Sequence, residues 1–287
     1  MTGEEPYRPS TIDYRPSTID YRPSTGVEGK GRVLIDLHSH LLPGIDDGSR
    51  SVEQSVAILG QFAEDGVTDL VLTPHLSATD VERHGEDAIE ERQEVFAQLE
   101  PVVPNPPALH LGFEIMLDRP MPAITTGDRR YSLAGSRYYL VEFPYGVAPV
   151  AAAKVLKQMV RAGVIPIVAH PERYYQCDVQ AVRVWKEDGA RIQLDANAFT
   201  KTGKRAHQAG EYLEAGLADI LAADNHGDRR SLAGGRRFLE QRGFQIQADL
   251  LTVKNPAAVL NDEEMEPVPS VRMRGSWVHR IRKTLGG

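Results

Sequence analysis

Seven short apolar segments of this chain end in a histidine, an aspartate or a glutamate. They span 33–38, 70–75, 109–114, 139–142, 165–170, 192–195 and 219–224, and end in His38, His75, Glu114, Glu142, His170, Asp195 and Asp224. Aliphatic runs of this length, separated by stretches with helical spacing, predict buried parallel strands. In a strand–helix barrel every strand opens its C-terminus on one face, where the active site lies. A polar group at each strand end therefore falls into one pocket. Imidazoles and carboxylates crowded there would repel or stay poorly solvated unless cations sat among them. The pattern predicts an α/β fold built round a cluster of metal ions.

The order along the chain supports that fold. Residues 51–65 place Val52, Val56, Leu59 and Phe62 on one helical face, with Gly66 where the helix should stop. Further helices are predicted at 80–99, 150–162, 179–188, 204–215 and 231–242, giving strand–helix alternation throughout. The segment 118–130 has no periodicity and reads as a lid. At 287 residues with 41% apolar content, the chain suits one barrel domain of about 250 residues.

The two ends read differently. Residues 1–31 repeat Tyr-Arg-Pro-Ser-Thr-Ile-Asp from Tyr7 and from Tyr14, and begin a third copy at Tyr21. They are polar and Pro-rich, so a flexible tail is expected. Residues 263–287 form the second tail. From Val271 onward it carries Arg272, Arg274, Arg280, Arg282 and Lys283 with no acid, a composition suited to weak membrane-surface contact. The catalytic domain is expected at 32–262. A net charge of −7 argues against nucleic acid as main partner. A single cysteine excludes an internal disulfide and fits a reducing cytoplasm.

Chemistry concentrates at the strand ends. In Asp36-Leu37-His38-Ser39-His40 the two imidazoles lie two apart on a strand and share a side. The loop Asp46-Asp47-Gly48 can return a carboxylate to the same place. Glu114 and Glu142 emerge from apolar runs and need a cation or a proton. Asp224-Asn225-His226 offers another same-side pair. Mixed imidazole and carboxylate donors suit Mn, Fe or Zn better than Ca or Mg. Arg173, Arg229 and Arg230 follow these donors closely and suggest an anionic substrate, most simply a phosphate. Cys177 and Arg183 have the spacing of cysteine-dependent phosphatases. The residues between them are helix-like and begin with Asp178, which would repel both thiolate and phosphate, so Cys177 is not read as a nucleophile.

These motifs, with Thr73-Pro74-His75, Gly112-Phe113-Glu114-Ile115, Val141-Glu142-Phe143-Pro144, His170-Pro171-Glu172-Arg173-Tyr174 and Gln193-Leu194-Asp195-Ala196-Asn197, resemble the polymerase and histidinol phosphatase (PHP) superfamily. Within it the chain is most similar to the manganese-dependent bacterial protein-tyrosine phosphatases of capsule and exopolysaccharide operons. The resemblance covers about 32–260.

It implies a distorted (β/α)7 barrel and three divalent metal ions, most simply Mn, with Fe or Zn as alternatives. One ion would take His38, His40, Glu114 and Asp224. A second would share Glu114 and add Glu142 and His170. A third would take Asp47, His75 and His226. Arg173 would contact the phosphate, helped by Arg229 or Arg230. Asp195, left without an ion, would orient a ligand or its water. The implied reaction is phosphotyrosine hydrolysis by metal-activated hydroxide attack on phosphorus, and the implied partner is a bacterial tyrosine autokinase. Glu142, where many superfamily members have histidine, favours this branch over histidinol phosphate. Leu76 departs from the pattern, which often has a second histidine there. Two other readings stand beside it: a phosphatase of small phosphomonoesters such as a sugar or histidinol phosphate, and a catalytically idle binding protein.

Overall fold

The computed structural model describes residues 33–103, 106–122 and 126–273. The N-terminal tyrosine repeat, part of the expected lid and most of the basic C-terminal tail lie outside these residues.

In chain order the elements are β1 (Leu34–Asp36), α1 (Val52–Asp65), β2 (Val67–Leu72), β3 (His75–Ser77), α2 (Ala78–Leu99), β4 (Ala108–Leu111), β5 (Glu114–Met116) and β6 (Tyr138–Glu142). Then follow α3 (Pro149–Arg161), β7 (Ile165–Ala169), α4 (Val179–Glu187), β8 (Arg191–Asp195), α5 (Lys204–Glu214), β9 (Ile220–Ala222), α6 (Leu232–Glu240), α7 (Gln245–Asp249) and α8 (Asn255–Leu260). A π turn at Leu250–Lys254 joins the last two helices.

Every strand pairing is parallel, in two sheets ordered β1-β2-β4 and β3-β5-β6-β7-β8-β9. The apolar runs fold this way because both strand faces are buried. Alternate residues divide between two cores. Tyr138, Leu140, Ile167 and Ala169 join Ile35, Val71 and Ile220 in one cluster, closed by Val259 and Leu260 of α8. Tyr139, Val141 and Val168 face the other way, into the larger cluster under the helices. Each buried aliphatic side chain contributes about 1.5–3 kcal/mol.

Helix ends follow local chemistry. Ser51 accepts a hydrogen bond from the Gln54 amide to start α1, and Gly66 at φ 91° ends it. α2 begins ahead of the expected 80–99 because Ser77, not a later residue, accepts from the Asp80 amide.

Three expectations need correction. First, two of the seven strands are each broken in two. Pro74, which has no amide hydrogen for a ladder, separates β2 from β3. Gly112 and Phe113 separate β4 from β5, and the Gly112 amide donates to Leu72 O instead. A Cβ on Gly112 would come within 2.8 Å of Leu133, so this crossing needs glycine. The breaks carry His75 and Glu114 from the smaller sheet into the larger one. Second, alternation is not complete: β5 reaches β6 through two 3-10 turns, Arg129–Tyr131 and Leu133–Gly135, with no α-helix among the described residues. Third, the packed chain continues past the expected boundary at 262. Val268 and Val271 are buried, Gln247 donates to Pro269 O, and Glu214 accepts from the Met273 amide.

Strands β1 and β9 approach at their C-terminal ends. Ser39 and Asn225 form a parallel bridge, the His40 amide donates to Asn225 O and the Asp224 amide donates to His38 O.

Candidate metal centre

The nine expected donors converge at the C-terminal ends of the strands. Register places them: His75 lies opposite Glu114, and Met116 opposite Glu142. Glu142 continues the side of β6 that carries Tyr138 and Leu140. His170 and Asp224 leave their strands with φ of 34° and 48°, left-handed values uncommon outside glycine. That turn aims them across the pocket rather than along the next pleat, a local strain held by the surrounding packing.

Distances within the cluster are short. Glu114 Oε2 faces His38 Nε2 at 3.1 Å, His40 Nε2 at 3.3 Å and His75 Nδ1 at 3.1 Å. Asp224 Oδ1 faces His38 Nε2 at 3.2 Å, His40 Nε2 at 3.3 Å and His226 Nδ1 at 3.5 Å. His170 Nε2 is 2.9 Å from Glu114 Oε1 and 4.0 Å from Glu142 Oε2. Asp47 Oδ1 is 3.5 Å from His75 Nε2 and 3.6 Å from His226 Nε2.

Donor atoms within 4.8 Å of one another form three groups: His40, Asp47, His75 and His226; His38, Glu114, His170 and Asp224; and His75, Glu114 and Glu142. The same nine residues are brought together as the resemblance implies, but His40 and His170 group differently. His40 Nε2 also lies 3.1 Å from His38 Nε2, so it borders both larger groups.

The donor set fits cations. Glu114 Oε2 and Asp224 Oδ1 are buried, ringed by imidazole nitrogens, and have no hydrogen-bond partner among the described residues. Leaving a buried carboxylate oxygen unsatisfied is costly, and a shared cation removes that cost. Charge coupling tells the same story. Burial pushes the Glu114 carboxyl up, yet the His38 charge and the His170 hydrogen bond overcome it and hold Glu114 well below its ordinary value. Burial pushes His38 down, but Glu114 and Asp224 raise it to about 9. His40 is likewise raised well above its ordinary value. This negative field, which holds protons on imidazoles, would equally draw divalent ions to the same nitrogens.

The arginines separate clearly. Arg173 Nη2 bonds Asp195 Oδ2 at 2.8 Å and also bonds Asp224 Oδ2. Arg230 Nη1 lies 3.3 Å from Asp224 Oδ2, and its Nε is held by Asp228. Arg229 is exposed and makes no such contact. Asp195 Oδ2 bonds Arg173, which also bonds the donor Asp224, while Asp195 Oδ1 accepts from the Asn197 amide. Cys177 is 1% exposed, and burial with Asp178 pushes its thiol up to about 12. A thiol so hard to ionise is a poor nucleophile.

Two supporting residues escaped the sequence reading. Gln193 Oε1 lies 3.0 Å from His38 Nδ1. It is the polar residue two before Asp195 on β8, so the period-two spacing pointed to it. Asp46 Oδ2 lies 2.7 Å from His40 Nδ1, and Asp46 also accepts from the Gly48 and His75 amides. Nothing in the loop's composition distinguishes it from its neighbour Asp47, whose side chain is 71% exposed and reaches the open edge of the cluster. Both partners fix the ring orientation of a donor histidine.

Comparisons with known proteins bear on the fold and the family. The tyrosine-protein phosphatase YwqE of Bacillus subtilis is 26% identical over 199 residues, 67% of this chain and 77% of that protein. The tyrosine-protein phosphatase CpsB of Streptococcus pneumoniae is 25% identical over 248 residues, 80% of this chain and 99% of that protein. A crystal structure from work on those two proteins, described as unique metal-dependent tyrosine phosphatases, superposes with a TM-score of 0.67 at 22% identity, covering 84% of this chain and all of that one, which shows a shared fold. A family model for capsular polysaccharide synthesis, CpsB/CapC, matches residues 34–261, and the chain belongs to that family.

Proposed function

We propose that the protein is a metal-dependent phosphatase that hydrolyses phosphotyrosine in proteins. The observation that carries this reading is the convergence of nine candidate donors around two buried carboxylate oxygens that lack hydrogen-bond partners among the described residues. The activities printed for the related YwqE and CpsB proteins support it. We assign three divalent ions, most simply Mn, to the ligand sets that the PHP resemblance implies. Bound there, such ions supply Lewis acidity that lowers the pKa of water and neutralises phosphoryl charge.

The chain's own residues do the rest. Gln193 and Asp46 set the tautomer and orientation of His38 and His40. Arg173 and Arg230 present guanidinium groups beside the donors, where they can bind the phosphoryl oxygens and stabilise charge as it develops. Arg229 has no such position. The two sheets would form one interrupted barrel, joined at the Ser39–Asn225 bridge and at the Pro74 and Gly112 crossings.

A tyrosine autokinase controlling capsule or exopolysaccharide synthesis is the proposed partner, and the cytoplasm the proposed location. Among the described residues no helix is long and apolar enough to cross a membrane. Membrane contact through the basic tail falls outside the described residues. The phosphatase activities printed for the related YwqE and CpsB proteins weigh against the idle-binding reading. A direct comparison decides the substrate: purified protein supplied with Mn should hydrolyse phosphotyrosine peptides with a higher kcat/KM than sugar or histidinol phosphates. The reverse order would favour the small-molecule reading.

A further inference from the structure

The two loops that leave the metal centre from β6 and β7 carry exposed aromatic rings. Tyr145 follows Glu142 and is 63% exposed; Tyr175 follows Arg173 and is 58% exposed. Their rings lie 6.0 Å apart, and the Tyr175 amide donates to Tyr145 O, so the pair is fixed as one unit. Lys204 Nζ sits 5.2 Å from the Tyr175 ring, the distance of a cation–π contact. Large exposed aromatics held rigid beside a pocket are typical recognition surfaces, because they bury area with little loss of side-chain freedom.

Next to this pair lies a cleft of about 290 Å³ whose wall includes Glu172, Arg173, Asp195, Lys201, Lys204 and Arg205. Arg173 lines the cleft and also bonds the donor Asp224, so the cleft and the metal centre share a wall. The acids sit on the inner wall: Glu172 is buried, and Asp195 is already paired with Arg173. Lys201, Lys204 and Arg205 are exposed at the mouth, and no ion pair engages them among the described residues. In a chain of net charge −7, three neighbouring cations without acidic partners are a local exception. They line the mouth of a cleft that shares Arg173 with the metal centre.

We propose that this cleft and aromatic pair form a specificity subsite for an acidic side chain neighbouring the phosphotyrosine of a protein substrate. The inference rests on the phosphotyrosine reading above and adds the chemical character of the flanking sequence. Lys201, Lys204 and Arg205 would pair with the substrate acid, while Tyr145 and Tyr175 pack against the peptide beside it. Electrostatic complementarity of this kind acts mainly on selection and capture.

The test compares two fluorescent peptides of equal length, one with Asp and Glu flanking the central residue and one with Asn and Gln. Each is made with phosphotyrosine for turnover and with a non-hydrolysable phosphonate analogue for binding by anisotropy. The metal-loaded wild type should favour the acidic peptide by about tenfold in affinity and in KM, with less difference in kcat. The preference should shrink as salt rises above the screening range. In the triple variant Lys201→Ala, Lys204→Ala, Arg205→Ala the ratio between peptides should fall toward one. A ratio cancels any general loss of folded protein. Equal affinity of wild type for the two analogues, or a ratio unchanged in the triple variant, overturns the subsite. An intact binding preference with neither phosphopeptide hydrolysed supports the subsite and overturns the phosphatase reading alone.

Discussion

The metal centre and the surroundings of Cys177 are both buried, both hold ionisable groups, and respond to burial in opposite ways. At the centre, burial is overruled by opposed charges: Glu114 is held down and His38 is raised to about 9. Around Cys177 burial acts unopposed, the like-signed Asp178 adds to it, and the thiol moves up to about 12. Both regions match a phosphatase spacing in sequence. Only the first has a field that would attract a cation or activate a group. Burial alone makes a side chain inert; burial with complementary charge makes it reactive.

The sharpest way to break this contrast is to remove a shared carboxylate. Glu114→Ala should lower kcat on phosphotyrosine peptide by about 1,000-fold or more, with measured metal content falling in parallel. Activity within tenfold of wild type would contradict the assignment.

Proton competition gives the next effect. His38 is raised from its ordinary value, so it is protonated in metal-free protein below about pH 9, and a metal must displace that proton. Affinity for Mn, titrated calorimetrically, should therefore rise with pH, by about 100-fold between pH 6 and 8 for one displaced proton. Without metal the sign reverses for stability: the contribution of His38 is complete below its unfolded value of 6.5 and disappears as pH rises through about 9.

Smaller still, Arg173→Lys should reduce kcat/KM by about 30-fold, since an ammonium cannot keep Asp195 and a phosphoryl oxygen in one planar fork. Arg229→Ala should stay near wild type, and equal losses in the two variants would remove the distinction drawn between them. Finally, Cys177→Ser should change kcat by no more than about twofold. A large drop there, with folding intact by circular dichroism, would reopen the thiol chemistry.

Most of the expected donors were legible because they sit at or just beyond the point where an apolar run meets a polar residue, and strand direction then gathers them; Asp47 is reached only through its loop. Helix ends at Ser51 and Gly66 were legible for a similarly local reason. What escaped depends on contacts between distant segments. Pro74 and Gly112 look like ordinary punctuation, and at Gly112 only the close approach of Leu133 and Val71 shows that the crossing needs glycine. Choosing Arg230 over Arg229 depends on the turn that lets Asp228 hold one guanidinium toward Asp224. Val268 and Val271 have no strand or helix around them, so nothing local announced that they cover the body.

The bridge between Ser39 and Asn225 has a consequence for assembly. The backbone hydrogen bonds there are made by His38, His40, Asp224 and Asn225, so the seam between the first and last strands is itself lined by donors. These residues are far apart along the chain, and contacts of such separation form slowly because a large loop must close first. The donors of the first strand cannot meet Asp224 until the last strand has docked. A divalent ion spanning them would act as a latch on a finished chain, and the rate at which that ion is captured during refolding would clock the closing step.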